Sequence, residues 1–176
     1  MKILKLPNLL QSYDYDCGAT AVQMVMAYYG IYITGKDIME EAQTDTKGTP
    51  FSGLVRTIKK HNLKFISRKM TIDEVKKFIK RKIPVIILLQ AWDDLKKNDW
   101  KNHWWDGHYV VAIGYDKNRL VFQDPASIYL TYLTFEEFQQ RWHDQDSRNK
   151  KKYINRGIAV FGKKPKYDDQ KMVHLD

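Results

Sequence analysis

One cysteine, Cys17, stands among 176 residues, and that scarcity removes two classes of architecture at once. A single thiol cannot close an internal disulfide, and metal sites built on cysteine pairs are excluded with it. Long apolar runs are missing too. The longest, PVIILLQAW from Pro84 to Trp92, is strand-sized and falls well short of the roughly 20 residues of a membrane span. The N-terminal MKILKLPNLLQSYD has its apolar stretch broken by Pro7 and Asn8 and carries no small-residue cleavage site, so no signal peptide is expected. With so little cysteine and no targeting segment, the reducing cytoplasm is the expected compartment. Internal repeats and low-complexity segments are also absent.

What remains is the composition of one soluble globular domain, 43% hydrophobic and 29% charged. Residues 1–176 are expected to form a single unit, with a core over about 6–162 and a polar tail over 163–176 that wraps the surface or stays disordered. The formal charge is +9 and the pI about 9.4. The basic residues are scattered in short groups (IKKHNLK, VKKFIKRK, NKKKY, GKKPK) and mixed with acids, as on a solvated surface. No RNA-recognition, helix-turn-helix or zinc-finger pattern accompanies them, so a nucleic-acid partner is not expected.

Hydrophobic periodicity divides the chain. Residues 17–29 predict a helix that is apolar nearly all round and therefore central, stopped by Gly30. TGKDIMEEAQ predicts a second helix, GLVRTIKKHN a third capped by Ser52, and TIDEVKKFIKRK a fourth opened by a Thr71/Glu74 capping box. LKFISRKM alternates as a strand between the last two. Beyond it the period shortens: 84–90, 107–115, 119–124, 128–133 and 157–162 all predict strands, interrupted by a helix FEEFQQRWH with a Thr134/Glu137 capping box. Helices first and antiparallel strands after make the fold class α+β.

The position of Cys17 carries the chemistry. It lies at a predicted helix start, where free backbone N–H groups and the positive end of the dipole favour a thiolate and can hold an oxyanion. Gly18 and Ala19 leave room beside it, and Gln11, six residues upstream, offers an amide N–H as a second oxyanion donor. A thiolate nucleophile needs a base. His61, His103, His143 and His174 fall on a surface helix, in a tryptophan-rich loop, at a helix end and in the tail. His108 alone opens a strong apolar strand, directly after Gly107. Asp124, ending the next strand in FQDP, is placed to orient it. Direct opposition of the two requires a hairpin centred near Asp116, whereas Lys117 and Asn118 suggest a later centre. A β-bulge would absorb the difference.

QSYDYDCG, GHYVV and FQDP are similar, in this order, to the Gln-x4-Asp-Cys-Gly, His and Asp motifs of the bacteriocin-processing, double-glycine leader peptidases, a papain-like cysteine peptidase family. The resemblance covers roughly Leu6 to Leu133. It implies Cys17 as nucleophile, His108 as base, Asp124 as orienting carboxylate and Gln11 as oxyanion-hole side chain. It also implies a papain-like fold, in which the helix bearing Cys17 packs on the sheet bearing His108. Asp16 and Gly18 beside the cysteine, and Trp105 and Gly107 before the histidine, are the expected substrate-binding residues. The expected partner is a peptide or protein substrate, and the chemistry calls for no metal or organic cofactor. The best-known members are fused to exporter domains; none is expected here, so the chain resembles a stand-alone member with an added region from about Phe135.

The same residues support acyl transfer or amidase chemistry, and a non-catalytic peptide-binding module of the same fold is a further alternative. AWDDLKKNDWKNHWWDG, 91–107, sets four tryptophans in a polar loop running into His108; it either gates the cleft or is pinned to the body by its rings. In RWHD, His143 is expected to interact with a helix C-terminus, with Asp144 beside it as the alternative acid–base partner.

Overall fold

The computed structural model describes residues 2–92 and 99–175. Its first long element is the helix α1, Cys17–Tyr28, apolar on nearly every side because it is covered on nearly every side. The helices α2 (Gly35–Ala42) and α3 (Phe51–Lys60) lie against it, and a sheet closes its remaining face. Ile31 and Gly30 donate backbone bonds to the Met26 and Ala27 carbonyls, the paired closure expected of a helix that ends before a glycine. α3 begins one residue earlier than its expected Ser52 cap. Pro50, whose ring already fixes a helix-compatible φ, occupies the cap position instead.

The sheet is antiparallel throughout. Among the described residues it joins β1 (Lys2–Ile3), β2 (Lys64–Lys69), β3 (Val85–Gln90), β4 (Gly107–Tyr115), β5 (Arg119–Gln123), β6 (Thr131–Thr134) and a final strand, Arg156–Phe161. The order is β2, the final strand, β3, β4, β5, β6, with β1 pairing the far end of β4. β3 is buried along its whole length, which explains its unbroken apolar sequence. Ile86 and Leu88 face the α1 side with Tyr109, Val111 and Ile113. Val85, Ile87 and Leu89 face a second core with Val110, Ala112 and Phe122. The helices α4 (Ile72–Lys80) and α5 (Phe135–Arg141) cover that second core, and both capping boxes form as expected, Thr71 with Glu74 and Thr134 with Glu137.

Three expectations shift. Of the 128–133 run only the last three residues are strand, in β6 (Thr131–Thr134), because its first residues complete the turn after Asp124. α5 stops at Arg141 instead of running through His143; the Trp142 indole donates to the Arg156 carbonyl (2.9 Å) and the chain turns into a strand. His143 therefore belongs to a small hairpin, β7 (His143–Gln145) with β8 (Lys152–Ile154), that precedes the final strand β9. Of the tail, Lys166 and Tyr167 donate to the Tyr28 carbonyl at the end of α1, and Lys5 pairs with Asp169 at 2.9 Å.

Candidate active site

Cys17 is the first residue of α1 and is 7% exposed. Its neighbours hold it there. Asp16 caps the helix only with its backbone; its buried carboxylate accepts from the Ser12 and Tyr13 N–H groups, both at 3.1 Å, and so shapes the preceding loop. The structure thus gives Asp16 a bracing position and does not place it on the cleft lining. Gly18 differs from expectation in a similar way. A Cβ there would lie 2.7 Å from Thr49 Cβ and 2.8 Å from the Tyr109 ring, so the glycine permits close packing of α1, and it is not among the residues lining the cleft. Thr49 also accepts from the Ala19 N–H at 3.2 Å.

His108 stands near the start of β4, 2% exposed, with its Nε2 2.7 Å from Asp124 Oδ1. The register explains how they meet. The β4–β5 hairpin is centred on Lys117 and Asn118, with Tyr115 opposite Leu120 and Gly114 opposite Val121. Continued unchanged, that register would set Asp124 opposite Val111, on the face away from His108. An irregularity between Ala112 and Gly114 shifts the pairing by one, so that Ala112 meets Phe122 and Val111 meets Gln123. Asp124 then falls level with Val110, on the same face as His108, and the two side chains bridge the diagonal.

Asp124 is itself held by the Ala126 N–H at 2.9 Å and the Thr131 hydroxyl at 3.2 Å. Burial, the largest influence on His108, lowers its pKa, but hydrogen bonds and charge from Asp124 and Cys17 outweigh it and raise it to about 9. Burial also pulls Asp124 upward, yet His108 and the two donors bring its carboxyl below the ordinary range. With Nε2 committed to Asp124, Nδ1 is the ring nitrogen left for the thiol.

Gln11 lies on the loop that Asp16 braces. Its backbone N–H donates to Pro125 O at 2.9 Å, tying it to the residue after Asp124. Its Nε2 donates to Tyr13 O at 2.7 Å, while Oε1 is buried without a partner. Cys17 opens onto a cleft of about 300 Å³ whose lining includes the expected Trp105 and Gly107. Described rings of the tryptophan loop are engaged: Trp92 on His108 (4.6 Å), Trp100 on His103 (5.2 Å), Trp105 on His103 (4.2 Å) and Trp104 on His143 (4.3 Å). Trp105 stays 54% exposed at the cleft. The part of the loop at 93–98 lies outside the described residues.

The Peptidase C39 family profile matches residues 5–145. The chain belongs to the Peptidase C39 family. It is similar to the transport/processing ATP-binding protein ComA of Streptococcus pneumoniae, 28% identical over 130 residues, covering 72% of this chain but only 16% of ComA. Two crystal structures share the papain-like C39 fold. One is a putative C39-like peptidase from Bacillus anthracis (TM-score 0.69, 20% identity, 94% of this chain and all of that one). The other is a double glycine motif protease from an AMS/PCAT transporter, in complex with its leader peptide (TM-score 0.67, 18% identity, 94% and 95%). No helix among the described residues is long and apolar enough to cross a membrane.

Within this C39 chain, sequence reasoning missed how the β7–β8 hairpin shapes the cleft. Arg148 at its tip bonds the Asp45 carboxylate and the Gly48 carbonyl (2.7 Å), joining the sheet half to the helical half at one wall. His143 is corrected from a helix-end position: it is buried in β7 and its Nε2 donates to His103 O at 2.7 Å. Burial, the chief cause, lowers its pKa. Asp144, one residue on, lines the cleft and accepts from Gln90 Nε2 at 2.7 Å. Burial pushes its carboxyl up to about 6. The only sequence signal for it was the RWHD motif, whose weight fell on the histidine.

Proposed function

We propose that the chain is a cysteine peptidase in which Cys17 attacks a peptide carbonyl. The observation that supports this reading is the His108–Asp124 hydrogen bond (2.7 Å), with Cys17 at the N-terminus of a buried helix close enough to raise the His108 pKa. The His108 ring, protonated beside a thiolate, holds the proton that the leaving amine needs. Asp124 keeps the ring oriented and stabilises its charge. As the carbonyl becomes tetrahedral, its oxygen turns toward the Cys17 N–H and the Gln11 amide; Gln11 Nε2 has a second proton beyond the one given to Tyr13 O. The amine leaves with the His108 proton, an acyl-thioester remains on Cys17, and a water deprotonated by His108 releases the acid.

The substrate class is a peptide, and leader peptides ending in a glycine pair are the first to try, since one structural relative is a double glycine motif protease bound to its leader. The cytoplasm is the compartment this reading assigns. The test is incubation with glycine-pair leaders and unrelated peptides, read by mass spectrometry. Cleavage should fall at least about a hundredfold in Cys17→Ala and in His108→Ala. Cleavage surviving Cys17→Ala would overturn the reading, and binding without cleavage by the wild type would favour a peptide-binding module.

A further inference from the structure

The hydrogen bond that sets the charge of His108 joins Nε2 to Asp124 Oδ1 at 2.7 Å. A carboxylate only accepts, so Nε2 carries the proton. Such a bond is strongest where water is kept from both of its ends. A cavity of about 220 Å³ lies directly against it. His108 and Asp124 line that cavity together with Leu89, Val110, Phe122 and Trp92. Both side chains of the pair are nevertheless mostly buried.

Trp92 supplies the cover. Its ring lies 4.6 Å from that of His108, tilted by 54°, while the residue remains 49% exposed. One side of the indole meets water and another meets the imidazole. An aromatic face also attracts the protonated ring, in the same sense as Asp124 from the end of β5 and Cys17 from α1, and against burial.

The backbone that carries this indole is strained. Pairing of β3 with β4 extends one step past Gln90, where the Ala91 N–H donates to Asp106 O at 2.9 Å. The chain then leaves the sheet at Trp92 with φ +57°. Left-handed φ suits glycine, and for a bulky side chain it is an outlier. A glycine would make the same departure without strain, so the cost is set against what the indole touches, which is His108.

We infer that Trp92 is a positioning residue for His108: its indole keeps water from the His108–Asp124 hydrogen bond and holds the imidazole in the orientation that leaves Nδ1 to Cys17. This rests on the peptidase reading above. Trp92 acts through His108 and transfers no proton itself.

The test compares the full chain, isotope-labelled in its histidine nitrogens, with Trp92→Phe, Trp92→Ala and Trp92→Gly. By NMR, the His108 Nε2–H signal should be visible in the wild type and in Trp92→Phe, and lost to exchange with water in Trp92→Ala and Trp92→Gly. Iodoacetamide alkylation of Cys17 at pH 6 should slow by about two- to fivefold in the latter two, the scale of an exposed cation–π contact, with Trp92→Phe near the wild type. Urea denaturation separates this role from a structural one. Glycine relieves the backbone strain, so Trp92→Gly should unfold at a higher urea concentration than Trp92→Ala and yet label no faster. A wild-type ring proton already lost to exchange would overturn the inference. So would labelling that is unchanged in both variants, or that recovers in Trp92→Gly along with its stability. Wild-type labelling that still slows in His108→Ala would then leave the peptidase reading standing, whereas labelling indifferent to His108→Ala would remove both.

Discussion

His108 is where competing forces are most evenly matched. Burial alone would strip its proton, and the Asp124 carboxylate with Cys17 restores it, so its pKa rises from the ordinary 6.5 to about 9. An NMR titration of the ring should show a midpoint near 9, moving back toward 6.5 in Asp124→Asn; a wild-type midpoint near 6.5 would mean the pair is not formed. The sign for stability follows. A folded-state pKa above the unfolded one gives stabilisation that is complete below pH 6.5 and lost as pH rises through about 9. Asp124, lowered from 3.8, contributes stability above that value and loses it as pH falls. The wild-type unfolding midpoint should therefore decline between pH 6.5 and 9, and that decline should flatten in His108→Gln. At this scale the sequence was readable where a residue had a local signal: Cys17 before a glycine at a helix start, His108 opening an apolar strand, Asp124 before a proline. Asp144 had only the RWHD motif, because its place against Gly107, 37 positions away in the chain, is visible only once β4 and β7 meet.

At the scale of elements, close approaches and a one-residue shift place Cys17, His108 and Asp124. The bulge between Ala112 and Gly114 decides which face of β5 carries Asp124. Gly18 lets the first turn of α1 press onto Thr49 and Tyr109, so Gly18→Ala should cost roughly 1–3 kcal/mol through overpacking. Urea denaturation reads this directly, and an unchanged midpoint would show that Thr49 or Tyr109 gives way without cost. Helices and buried strands were legible because their apolar periods are strong. The β7–β8 hairpin was not: HDQDSRNKKKYI has no apolar alternation, and backbone pairing with the burial of His143 and Tyr153 holds it. β1 spans only two residues, too few to show a period.

Across the whole molecule, the site forms where independent parts converge. α1, packed in one core, delivers Cys17; the sheet that separates the two cores delivers His108 and Asp124; the loop braced by Asp16 delivers Gln11 and is tied back through Pro125. Arg148 then fastens the hairpin to the helical half beside the cleft. The central claim is that this convergence makes Cys17 and His108 one chemical unit. Iodoacetamide alkylation of the single cysteine at pH 6, in wild type and in His108→Ala, tests it most directly. The account predicts rapid wild-type labelling that slows at least about tenfold in the variant. Equal rates in the two proteins would contradict it, leaving a thiol and an imidazole that are neighbours without being partners.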